Sequence, residues 1–145
     1  MHPYPHRYSV SASGSSSGSV TLSANGLANI ASAPPVEFDG PGDLWSPESL
    51  LCAALADCFL LTFRAIARAS RFEWQDLSCR VEGVLERADG TVHFTGFTTH
   101  ALLRVPAGAD LIKAKSLMEK AESGCLIANS VRGTRQLVAE IAVSP

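Results

Sequence analysis

Two thiols stand where this chain could do chemistry. Cys58 lies within Leu50-Leu51-Cys52-Ala53-Ala54-Leu55-Ala56-Asp57-Cys58-Phe59-Leu60-Leu61, an almost wholly apolar run. Cys125 follows directly on Gly124, where the segment Ala121-Glu122-Ser123-Gly124 gives way to Leu126-Ile127-Ala128-Asn129-Ser130. A thiol reacts as its thiolate, and apolar surroundings raise its pKa and quieten it. Cys58, well inside its helix and remote from the N-terminal dipole end, is therefore core packing unless a cation reaches it from elsewhere. Cys125 sits where the chain turns and a new short turn begins. Backbone N–H groups at such a place favour a thiolate, so a functional and a packing role stand open for it. Brought together by folding, the two would form a redox couple.

The remaining candidates read as structural. Cys52 and Cys58 share one helix, about 9 Å apart along its axis. A disulfide needs Cα atoms within about 7 Å, so Cys52 is read as packing. Cys79, at an inward strand position, is read the same way. The four cysteines include no C-x₂-C pair, and His2, His6, His93 and His100 have no ligand spacing relative to them. No metal site and no cofactor is expected. His93 and His100, seven apart, face opposite sides of an unbroken strand and read as ordinary strand residues. No nucleophile elbow, phosphate loop or dinucleotide fingerprint occurs.

The elements that must position these residues follow from pattern. Tyr8–Ser23 alternates weakly about a Gly14-Ser15-Ser16-Ser17-Gly18 tip, a β-hairpin. Leu27–Ala33 suggests a short strand before Pro34-Pro35. Ser46-Pro47-Glu48 opens a helix: a cap, a residue suited to the first position, and a carboxylate on the positive dipole end. That helix is apolar on every face, which marks it as buried, and it runs to about Ser70. Trp74–Glu86 and Thr91–Val105 read as paired strands joined at Ala88-Asp89-Gly90. Leu77, Cys79, Val81 and Val84 are expected inward on the first, with Phe94, Phe97, Leu102 and Val105 as anchors on the second. Asp110 caps a second helix, Leu111–Glu122, with Leu111, Ala114, Leu117, Met118 and Ala121 on one face. Thr134–Val143 closes the chain as a strand. The order implies an α+β fold with mostly antiparallel sheet.

Size and charge narrow the function. The chain has 145 residues, 46% apolar, enough for a single domain over 1–145 with residues 1–7 as a loose segment. The net charge of -2 and the lack of a basic stripe argue against nucleic acid. Met1–Tyr8 is followed by no apolar signal region, so a cytoplasmic location is expected. The apolar run ending at Ile66 is interrupted by Asp57 and Arg64 and falls short of the roughly 20 residues of a membrane span.

The segment from Ser46-Pro47-Glu48 through Ala56-Asp57-Cys58-Phe59 resembles the first cysteine motif of the OsmC/Ohr family, the osmotically inducible and organic hydroperoxide resistance proteins. Ala121-Glu122-Ser123-Gly124-Cys125-Leu126-Ile127-Ala128-Asn129-Ser130 resembles its second. The likeness runs from about Tyr8 to Val143. It implies that Cys58 is the peroxidatic thiolate, that Cys125 resolves its sulfenic acid as a disulfide, and that Glu48 holds an Arg reaching the thiol. It also implies antiparallel sheets wrapped around two central helices in an intertwined homodimer. The substrate would be a small organic hydroperoxide, with a lipoyl protein, thioredoxin or small thiol as reductant. The family's activating Arg usually lies in the first hairpin, and the Gly14–Gly18 tip carries none. Arg7, Arg104 and Arg132 are the candidate replacements, Arg132 foremost. The missing Arg also motivates an alternative, a non-catalytic protein of this fold that binds a small apolar ligand at the dimer boundary.

Overall fold

The computed structural model describes all 145 residues, Met1–Pro145, as two compact units, Met1–Leu50 and Leu51–Pro145. In the first unit, β1 (Ser11–Ser13), β2 (Val20–Ser23) and β3 (Ile30–Ser32) form an antiparallel sheet in the order β1-β2-β3. The Gly/Ser tip between β1 and β2 makes the expected hairpin. Further on the chain folds back on itself at Gly40, where a Cβ would stand 1.6 Å from the Pro34 carbonyl oxygen. No side chain fits there.

Helix α1 (Pro47–Ala69) starts at a reciprocal cap. The Ser49 N–H donates to Ser46 Oγ at 3.1 Å, and the Ser46 N–H donates to Ser49 Oγ at 2.8 Å. Two of the unpaired amides of a helix start are thereby satisfied. At 23 residues α1 is longer than the apolar run suggested, and by length and composition it could cross a membrane. Only one face of it is buried here, made by Leu55, Phe59, Phe63 and Ala67, four residues apart. The burial on every face that its composition implied is not met within one chain, and Leu61 is exposed.

The second unit continues with β4 (Asp76–Ala88), β5 (Thr91–Val105), α2 (Leu111–Gly124), a 3₁₀ turn (Ala128–Ser130) and β6 (Thr134–Val143). The sheet order is β4-β5-β6. The β4–β5 hairpin turns at Asp89-Gly90, both at positive φ (53° and 79°), the left-handed pair that a two-residue hairpin needs. The β5–β6 pairing is parallel, because α2 provides the crossover between them. Phe59, Phe63 and Ala67 of α1 meet Ala114, Leu117, Met118 and Ala121 of α2 and Leu77, Ala101, Leu103 and Val105 of the sheet in one core.

Three inward assignments differ. Val84, of opposite parity to Leu77, Cys79 and Val81, falls on the other face of β4 and is exposed. The alternation set by Phe97 puts Leu103 rather than Leu102 in the core. Leu111, in the first turn of α2, is exposed. A register shift between Val84 and Leu85, which skips Thr95 on β5, removes the parity argument for His93 and His100. It also lets Phe94 and Phe97, three apart, share a face and stack with ring centroids 5.1 Å apart.

Candidate functional site

The structure brings Cys58 and Cys125 together. Both belong to one apolar cluster, in which Leu55, Phe97, Cys125 and Ala128 are buried and Leu51, Cys58, Val81, Phe94 and Val131 pack around them. Cys58 is half-buried on α1, and Cys125 is 1% exposed. All four cysteines are free thiols.

Cys125 reaches this position because α2 stops at Gly124. Its own backbone is extended (φ -66°, ψ 112°), and the chain then winds into the 3₁₀ turn. The turn is closed by Asn129 N–H donating to the Cys125 carbonyl at 2.9 Å and by Ser130 Oγ donating to the Leu126 carbonyl at 2.8 Å. The Ala128 N–H points at Cys125 Sγ, 3.5 Å away.

The two thiols are pushed apart in acidity. Burial acts to raise Cys58, but it is outweighed by hydrogen bonds from the Ile127 N–H, the Cys125 thiol, the Thr62 hydroxyl and the Leu126 N–H, which hold it below the ordinary thiol value. The Thr62 hydroxyl lies 3.8 Å from Cys58 Sγ. Cys125 is pushed up to about 11, first by burial and then by donating to Cys58, with the charges of Cys58 and Glu122 adding to this. The inner pair is thus asymmetric, with Cys58 the more acidic thiol and Cys125 the less.

No guanidinium is among the groups acting on Cys58. Arg104 pairs with Asp76 on the exposed sheet, at 3.5 Å. Arg132 is exposed and lines a cleft of about 650 Å³ with Leu51, Phe94, Phe97 and Val131. Arg7 belongs to the N-terminal unit. The amides of Leu126 and Ile127 and the Thr62 hydroxyl act on Cys58 in the direction that sequence reasoning assigned to a cation. An amide carries no residue-type signal; the turn after Gly124 was the available hint.

The other candidates are placed as follows. Glu48 lies in the first turn of α1, with Oε2 buried and without a hydrogen-bond partner. Cys52 packs beside Gly83, and burial raises its pKa. The Cys79 thiol donates to the Ala56 carbonyl at 3.3 Å, and burial followed by the charge of Asp57 raises it. No group of three or more His, Cys, Asp and Glu side chains is placed to hold a metal ion.

Residues 40–139 match the family described as OsmC-like protein. The chain belongs to the OsmC-like family. Among curated proteins it is 31% identical over 117 residues to the uncharacterized protein YmaD of Bacillus subtilis, covering 75% of each chain. Among solved structures it is similar to an organic hydroperoxide resistance protein OsmC from Legionella pneumophila (27% identity, TM-score 0.73, 95% of this chain and 99% of that one). It is also similar to an OsmC-like protein from Mycoplasma pneumoniae (18% identity, TM-score 0.78, 98% of this chain and 100% of that one). The α+β arrangement of two helices and two small sheets is that of the OsmC-like fold. OsmC-like relatives thus include proteins named for hydroperoxide resistance, and the thiol pair described above lies inside the matched region.

Proposed function

We propose that this OsmC-like protein is a cysteine-based peroxidase that reduces organic hydroperoxides through a Cys58–Cys125 disulfide. The observation that carries the reading is the placement of two free thiols, Cys58 and Cys125, in one apolar cluster, and their opposed acidity, Cys58 lowered and Cys125 raised, agrees with it. The Cys58 thiolate attacks the outer oxygen of ROOH. The O–O bond breaks, Cys58 becomes a sulfenic acid, and RO⁻ takes a proton to leave as ROH. Consumption of the Cys58 anion removes the charge that helps to hold the proton on Cys125. Cys125 then attacks the Cys58 sulfur, the S–O bond breaks, and water leaves as the disulfide forms. A thiol reductant (a lipoyl protein, thioredoxin or a small thiol) returns both cysteines to thiols.

The cleft walled by Leu51, Phe94, Phe97 and Val131 supports aryl or alkyl hydroperoxides over hydrogen peroxide, since it continues the apolar cluster around the thiols. Glu48 is assigned as the carboxylate that receives a cation. Its buried, unpartnered Oε2 supports this, because such an atom is costly to leave unpaired. A second copy of the chain is the proposed partner. Leu61 of α1 is 48% exposed, and a helix this apolar with only one buried face favours burial against another chain. The proposed location is the cytoplasm, which supplies reduced thiols.

The test is intact mass of the reduced protein after a brief pulse of cumene hydroperoxide. A loss of two hydrogens, mapped to a Cys58–Cys125 link, is expected. An unchanged mass would reject the peroxidase and leave the apolar-ligand binder.

A further inference from the structure

Cys125 is carried to Cys58 by a short connection between α2 and β6, and such a connection is only as useful as whatever keeps it in place. Arg135, the second residue of β6, does this at both ends of the segment. Its Nε donates to Glu122 Oε1 at 2.9 Å, its Nη2 to the Glu122 carbonyl, and its Nη1 to Asn129 Oδ1 at 2.7 Å. Asn129 Nδ2 returns a hydrogen bond to the Ser123 carbonyl at 3.1 Å. Cys125, Leu126 and Ile127 lie between these anchors. In the sheet, Arg135 is in register with Phe97, which belongs to the thiol cluster. The fork geometry matters: a planar guanidinium reaches three acceptors from one rigid group, and an ammonium does not. The side chains of the Arg135–Glu122 pair are 25% and 17% exposed, whereas every other ion pair in the chain has both partners more than half exposed. Arg135 is therefore the one cation held against solvent screening.

We propose that Arg135 is a positioning residue that holds the segment Cys125-Leu126-Ile127 against Cys58, so that a cation tunes the thiol pair without touching it. This deepens the peroxidase reading and rests on Cys58 as the reacting thiol. Among titratable groups, Cys125 faces Cys58 directly, Glu122 of α2 acts on Cys125, and Asp57 of α1 acts on Cys79. The sheet residues in the cluster, Val81, Phe94 and Phe97, are apolar.

The test is the rate of iodoacetamide alkylation at Cys58 in the reduced full chain, followed by peptide mass mapping from pH 5 to pH 10, with melting curves on the same samples. In Arg135→Gln the midpoint is expected to rise by about one pH unit, which slows alkylation about tenfold below both midpoints. The rate should rejoin that of the unaltered protein once Cys58 is fully ionised. Asn129→Ala, at an exposed position, removes one anchor and is expected to shift the midpoint the same way by less. A purely structural Arg135 would lower the melting temperature and leave the midpoint where it was, and that result in folded Arg135→Gln overturns the proposal. If Arg135→Gln does not fold, an unmoved midpoint in Asn129→Ala overturns it instead. Alkylation needs no peroxide. A shifted midpoint in a peroxide-inert protein sinks the peroxidase reading alone, and an unmoved midpoint in a peroxide-consuming one sinks this proposal alone.

Discussion

Cys58 and Cys125 share one apolar cluster, Cys125 fully buried and Cys58 half-buried beside it, and their acidities are pushed in opposite directions, Cys58 down and Cys125 up. The relationship assigns distinct fates to the two substitutions. Cys58→Ser is expected to abolish hydroperoxide reduction under any thiol reductant. Cys125→Ser is expected to leave a Cys58 that gains one oxygen and then stalls, with turnover near zero. Intact mass separates the two, and full turnover in Cys58→Ser would remove the basis of the assignment.

The pH dependence follows from the donors around Cys58. A thiolate held below its ordinary value reacts at lower pH than a free thiol, so the rate should rise with pH and level off early. Thr62→Val removes one donor that lowers the pKa, so the midpoint must move up. At 3.8 Å the Thr62 contact is long, and a shift of about half a pH unit is expected, as for a weak hydrogen bond. Single-turnover rates with cumene hydroperoxide across pH measure it. A downward shift would contradict the hydrogen-bond assignment.

Much of this arrangement was legible in the residues, and the gaps have physical causes. Ser46-Pro47 marked where α1 begins, and Asp89-Gly90 marked the hairpin, because caps and left-handed turns restrict residue type. The two cysteines were legible as a pair through their flanking motifs. The groups acting on Cys58 were not. Backbone amides look alike in every residue, and their aim is set by Arg135, Glu122 and Asn129 after the chain has folded. The shared face of Phe94 and Phe97 escaped for another reason. A single register shift reverses the parity of everything beyond it, and no residue near it announces one.

Gly83 of β4 has no room for a side chain. A Cβ there would stand 2.9 Å from Phe94 Cε1 and 3.1 Å from Cys52 Sγ. Gly83→Ala is expected to destabilise the fold by about 1–3 kcal/mol in urea titration, as overpacking does. Cys52→Ala alone is expected to leave peroxide reduction within about twofold, since packing is its role. The double variant should recover part of the loss, because one of the two obstructing side chains is cut back. Strict additivity would show that Cys52 is not part of the obstruction.

Alkaline stability offers a test that needs no substrate. Cys125 has a folded pKa of about 11 against an ordinary value of 9.0. A raised folded pKa contributes stability that is complete below the unfolded value and is lost as pH climbs through the folded one. Between about pH 9 and 11 the unfolded chain has released this proton and the folded chain retains it, so stability must fall with pH. Cys52 and Cys79, also raised by burial, act in the same direction. Cys58 acts in the opposite one, its contribution being lost as pH drops through its lowered value. Urea midpoints of the reduced protein and of Cys125→Ser, measured from pH 8 to pH 11, should therefore converge as pH rises. Parallel curves over that window would mean that Cys125 ionises as freely in the fold as out of it, and that the proton it shares with Cys58 is not held.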